Sequence, residues 1–148
     1  MRVYYDTSCL IAFYCTEALT PIIRSFVEDR DQPVLINALQ ELEFRNGLRQ
    51  KVLRREISPG DLTRSLRLFE DDCVTSKIYR KPVAWPVIYE RAEVISRHRS
   101  PKQACRSFDL MHVAVAVVSK VRKFATIDSA QAKLARAAGL MPVEFSEA

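Results

Sequence analysis

Four carboxylates in this chain stand where folding can gather them: Asp6, Glu43, Asp109 and Asp128. Asp6 ends the apolar run Val3-Tyr4-Tyr5, and Asp128 ends Phe124-Ala125-Thr126-Ile127, so each arrives at the carboxyl end of a buried-type strand. Asp109 enters an almost wholly apolar helix beginning Leu110-Met111-His112-Val113-Ala114. Glu43 precedes Phe44 on a helix where Gly47, one turn on, leaves room beside it. An unpaired charge in apolar surroundings is very costly, and several carboxylates together repel one another. Mg2+ or Mn2+ resolves both difficulties, because these hard ions take oxygen ligands, retain water and bind phosphate oxygens. The chemistry expected of such a site is in-line hydrolysis of a phosphodiester, with a metal activating water and stabilising charge on the leaving group.

Each acid also has a plainer reading. Asp6 or Asp128 alone would serve as a helix cap, and Asp109 as an acid facing the positive end of a helix dipole. Glu43 alone would be a solvated helix acid, with Glu41 as the functional carboxylate in its place. The set carries the chemistry; no member does so by itself. Thr7, Ser8 and Thr126 adjoin the acids and offer hydroxyls to hold a carboxylate or a water. His112, one turn after Asp109, reads better as a satisfied helix histidine than as a base.

The elements that must position these groups alternate between strands and longer helices. Residues 2–6 read as a strand, with Thr7 or Ser8 capping a short helix through Tyr14. Thr20-Pro21 has a cap-and-first-turn form for a helix, and Pro33–Ile36 is a short strand. Phe44, Leu48 and Val52 make one stripe of a helix over 39–55, and Ser58-Pro59 opens another. A brief strand is expected within 79–85, a helix from Pro86 through Arg97, and another capped by Ser107. The chain ends with a strand at 124–127, a helix over 129–138 closed by Gly139, and a strand at 143–145. This alternation predicts a parallel sheet covered by helices on both faces, with the ligand site beyond the strands' carboxyl ends.

At 148 residues the chain has the length of one domain, with no internal repeat or domain boundary in its sequence. No run of about 18 apolar residues is present, so no membrane span is expected. The opening reaches Asp6 too early for a signal peptide. Cys9, Cys15, Cys73 and Cys105 lack zinc-ligand spacing, and Cys9 and Cys105, in apolar surroundings, read as small core residues in a reducing cytoplasm. The net charge of +5 is concentrated: residues 44–67 and 80–106 each hold seven Lys/Arg against two acids. Such segments attract a nucleic-acid backbone, although a solvated helix face looks much the same.

Four ordered blocks carry a family resemblance. They are Tyr5-Asp6-Thr7-Ser8-Cys9-Leu10-Ile11-Ala12, then Ile36–Phe44 with Gly47-Leu48, then Phe108–Ala116, then Phe124–Asp128 followed by Ala135, Gly139 and Leu140. In this order they resemble the PIN-domain ribonucleases, especially the VapC-type toxins of prokaryotic toxin–antitoxin pairs. The resemblance implies a three-layer α/β/α fold with a central, mainly parallel sheet. It implies that Asp6, Glu43, Asp109 and Asp128 ligate or orient Mg2+ or Mn2+, with Thr7 or Ser8 as the supporting hydroxyl. It further implies an RNA substrate, a small antitoxin partner and a homodimer. Two positions depart from the pattern: Gln40 stands where many relatives have Thr or Ser, and Ser129-Ala130 replaces the usual acidic-aromatic pair. Arg45 has two roles open to it, an ion pair with Glu43 or a contact to substrate phosphate.

Other classes remain in competition. A noncatalytic RNA-binding or assembly module would bind RNA with strong salt dependence and show no metal-dependent turnover. A phosphoryl-transfer protein using Asp6 as nucleophile is disfavoured, since aspartyl phosphatases want a second Asp where Ser8 stands.

Overall fold

The computed structural model describes residues 2–145. Its elements run β1 (Val3–Tyr5), α1 (Thr7–Tyr14), α2 (Thr20–Glu28), β2 (Val34–Ile36), α3 (Ala38–Leu53), α4 (Pro59–Val74), β3 (Ile78–Arg80), α5 (Trp85–Arg99), α6 (Ser107–Val118), β4 (Lys123–Thr126), α7 (Ser129–Ala137) and β5 (Met141–Glu144). The described residues form two compact units, residues 2–6 with 83–144 and residues 7–82 with 145.

In the first unit three strands pair in parallel in the order β1-β4-β5, with Val3 opposite Lys123 and Lys123 opposite Met141. Central strand β4 is buried at Phe124, Ala125 and Thr126, as a strand with neighbours on both sides requires. Helix α7 packs on β4 and β5, and α6 packs against α5 and α7. Seven consecutive residues of α6, Leu110 to Ala116, are buried, which explains a helix that is apolar nearly all round. His112 belongs to that core: the Tyr4 hydroxyl lies 2.7 Å from its Nδ1, and Tyr4 stacks on Phe124. It is the satisfied helix histidine that the sequence suggests.

In the second unit β2 and β3 pair in parallel, Val34 opposite Ile78. Tyr14, Phe44 and Phe69, from α1, α3 and α4, form an aromatic core with ring centroids 4.8–5.6 Å apart. Burial, reinforced by a hydrogen bond to Asp72, pushes the Tyr14 phenol well above its ordinary range, so it stays a donor. Helix α3 begins with a capping box: Asn37 accepts from Leu39 and Gln40, and the fully buried Gln40 side chain accepts from the Asn37 N–H. Gln40 therefore has a structural task at the start of α3. Gly47 lets α1 approach α3, since a Cβ there would lie 2.5 Å from Ile11 Cδ1.

The fold is of the mixed α/β, parallel-sheet class that the sequence implies. Several boundaries differ from expectation for local reasons. Strand β3 stops at Arg80, and Pro82 has no N–H with which to extend a ladder. Strand β5 begins earlier than expected and includes Pro142, a residue tolerated there because β5 is an edge. Thr7, Thr20 and Ser107 are first helical residues instead of caps. The Thr20 hydroxyl donates to the Ala12 carbonyl, pinning the start of α2 to α1. Gly139 takes a positive φ of 85° just past α7, as a helix terminator should.

Candidate active site

Parallel pairing of β1 with β4 brings the carboxyl ends of both strands to the same edge of the first unit. The Asp6 N–H extends the ladder by donating to the Ala125 carbonyl at 2.9 Å. This leaves the Asp6 side chain, only 6% exposed, beside Thr126. The Thr126 hydroxyl donates to Asp6 Oδ2 at 2.8 Å and accepts from the Asp128 N–H at 3.0 Å. One buried hydroxyl thus orients Asp6 and fixes the backbone that carries Asp128.

Asp128 is the N-cap of α7, its Oδ1 accepting from the N–H groups of Ala130 and Gln131. The expected cap role is real, but it occupies one oxygen only. The other, Oδ2, faces the Arg106 guanidinium at 3.9 Å. Arg106 also reaches Asp109, with Nε 3.0 Å from Oδ2. Asp109 in turn accepts from the Arg106 backbone N–H at 3.2 Å, serving as the first-turn acid of α6. A continuous run of contacts therefore links Asp6, Thr126, Asp128, Arg106 and Asp109.

Glu43 belongs to the second unit. Its Oε2 accepts from the Thr7 hydroxyl at 2.9 Å, the residue that follows Asp6 in the chain. Consecutive residues thus take part in the two carboxylate contacts: Asp6 with Thr126, and Thr7 with Glu43. Ser8, half-buried, follows within α1.

Glu41 and Arg45 are committed elsewhere in the same unit. Arg45 bonds Glu41 and Glu70, and Arg80 bonds the same two acids, with Nε 2.8 Å from Glu41 Oε2. Both guanidinium groups lie over the Phe69 ring. Hydrogen bonds from Arg80 and then Arg45 hold the Glu41 carboxyl below its usual range. Burial alone would raise Glu70, but the same two arginines outweigh it and lower that carboxyl too. Of the two roles left open for Arg45, an ion pair with Glu43 or a contact to substrate phosphate, the first is not taken: its ion pairs are with Glu41 and Glu70.

The donors suit a hard divalent cation in kind, being carboxylate and hydroxyl oxygens with no thiolate or imidazole among them. A cationic group already lies on two of the carboxylates. Among the described residues, however, no three His, Cys, Asp or Glu side chains converge closely enough to hold a metal ion. Helix capping turns one oxygen of Asp128 away, and Arg106 lies against Asp109 and Asp128. Arg106 escaped the sequence reading. Its i,i+3 spacing to Asp109 was visible, but its approach to Asp128 depends on tertiary structure.

Some cations of the charge-rich segments are paired with acids. Lys51, Arg54 and Arg64 pair with neighbouring acids, and Arg97 pairs with Glu93. Among the described helices none is long and apolar enough to cross a membrane.

Comparison with known proteins places these observations in a family. No curated protein matches the chain. Among solved structures, the crystal structure of FitAcB from Neisseria gonorrhoeae aligns over 95% of this chain and 96% of its own, with 13% identity and a TM-score of 0.61. At that identity the likeness is one of fold. The family model for the PIN domain matches residues 3–137, a span that carries all four acids, and the chain therefore belongs to the PIN-domain family.

Proposed function

We propose that the protein is a metal-dependent endoribonuclease and the toxin of a toxin–antitoxin pair. The observation that carries this reading is the run of contacts joining Asp6, Asp128 and Asp109 at the carboxyl edge of the parallel sheet. Ligand sites of parallel α/β sheets lie at that edge, and membership of the PIN-domain family supports the nuclease assignment. Asp6, Asp109, Asp128 and Glu43 are the carboxylates that would hold Mg2+, with Mn2+ as a substitute. When bound, the ion would stabilise charge on a phosphodiester and lower the pKa of an attacking water.

The chain's own groups do the positioning. Thr126 keeps one oxygen of Asp6 fixed, and Thr7 does the same for Glu43. Helix-start hydrogen bonds hold Asp128 at α7 and Asp109 at α6. The toxin assignment, with a cytoplasmic RNA substrate, a small antitoxin and a homodimer, follows the resemblance to VapC-type proteins.

Cleavage of total cellular RNA by the purified protein tests the reading, with Mg2+, Mn2+ or EDTA present and Asp6→Asn beside the parent. Discrete fragments that need both metal and Asp6 are expected. A second reading, a noncatalytic RNA-binding module, draws on the engagement of the carboxylates by protein donors. It predicts salt-sensitive RNA binding and no fragments with either metal.

A further inference from the structure

Arg106 differs from the other arginines that meet carboxylates in how it is held. Its side chain is 80% exposed, yet the guanidinium makes a fork on Asp109 and approaches Asp128. The two acids do not depend on it for their places. Asp109 is anchored by the Arg106 backbone N–H, and Asp128 by the N–H groups of Ala130 and Gln131. Those anchors survive any change of the Arg106 side chain. The guanidinium is therefore an exposed charge resting on carboxylates that the helix ends have already fixed.

Exposed ion pairs contribute little, about 0–1 kcal/mol, because solvent screens them and a long side chain must be ordered. A divalent cation brings twice the charge and direct oxygen ligation to the same two carboxylates. We propose that Arg106 is an exchangeable counter-cation that competes with the divalent ion for Asp109 and Asp128, and so sets the metal affinity of the site. This rests on reading those carboxylates as metal ligands. The competition follows from geometry: one guanidinium and one metal ion cannot both lie against Asp109 Oδ2 and Asp128 Oδ2.

Binding of Mn2+ alone, measured by titration calorimetry on the full chain without RNA, tests the proposal. Arg106→Ala should bind Mn2+ about two- to fivefold more tightly than the parent, the range expected for removing one screened charge. Arg106→Lys, which keeps the charge but loses the fork, should fall between them. Mn2+ should also raise the melting temperature of Arg106→Ala by more than it raises that of the parent. Arg106→Gln replaces the alanine variant if the latter does not fold, with the same tightening expected. Asp109→Asn separates the two possible failures. If the parent binds Mn2+, Asp109→Asn weakens binding, and the Arg106 variants match the parent or bind less well, the counter-cation role is overturned while the metal site stands. If neither the parent nor the Arg106 variants bind Mn2+ into the millimolar range, the metal reading falls and this proposal with it.

Discussion

Two arginine–carboxylate clusters among the described residues differ in composition. In the second unit Glu41 and Glu70 meet Arg45 and Arg80, two charges against two, over the face of Phe69. The paired charges hold both carboxyls below their usual range and both guanidinium groups above theirs. In the first unit three aspartates share a run of contacts that contains one guanidinium. A balanced cluster satisfies itself and holds structure together. On the proposed reading, the run in the first unit is where a divalent cation would bind.

Substitutions that separate activity from stability probe this contrast most strongly. Asp109→Asn is expected to lower RNA cleavage by about a hundredfold or more, on the scale typical of losing a transition-state interaction. Glu70→Gln should cleave at close to the parent rate. An equal loss of cleavage in both variants would erase the distinction between the clusters.

Thr126→Val comes next. It leaves the Asp128 N–H and a buried oxygen of Asp6 without this partner, at a cost of about 1–3 kcal/mol in chemical denaturation. Cleavage should fall with it, because Asp6 loses its orienting donor.

Glu70→Gln should cost no more than about 1 kcal/mol, discounted because the Glu70 side chain is roughly half exposed. The same pair gives a signed pH dependence. Glu41 and Glu70 are both held below the ordinary glutamate value of 4.5, so the folded state binds fewer protons than the unfolded state. Their contribution is fully present above pH 4.5 and is lost as pH falls through the lowered folded values. A Glu41→Gln, Glu70→Gln double variant should flatten the acid limb of a stability–pH curve. An unchanged acid limb would show that the cluster is not the source of that stability.

Gly47→Ala should have the smallest effect. The gain in helix propensity, about 1 kcal/mol, opposes the displacement of the Ile11 side-chain tip. A net change within about 1 kcal/mol is expected in thermal or chemical melts, and a larger loss would show that α1 cannot yield.

Much of the fold was legible because its signals are local. Apolar runs ending in Asp marked β1 and β4, a continuous apolar helix marked α6, and Ser58-Pro59 marked the start of α4 with its capping box. The errors fell where a choice depended on contacts from elsewhere. Thr7 looked like a cap by composition, but its hydroxyl is taken by Glu43, 36 positions away. Arg45, close to Glu43 in sequence, had two roles open to it there, an ion pair with that acid or a contact to substrate phosphate. On the folded helix it turns to Glu41, one turn earlier, and to Glu70 on α4.

The sequence by itself determined which residues the proposed chemistry would use: four acids near strand ends and helix starts, with hydroxyls beside them. Local propensity and hydrophobic pattern are properties of neighbours along the chain, so they can be read from it. Tertiary structure decided which partner each acid meets. It gave Asp6 to Thr126 at a separation of 120 residues, and brought Arg106 against Asp128 as well as Asp109. Electrostatic pairing falls steeply with distance in space and takes no account of distance along the chain.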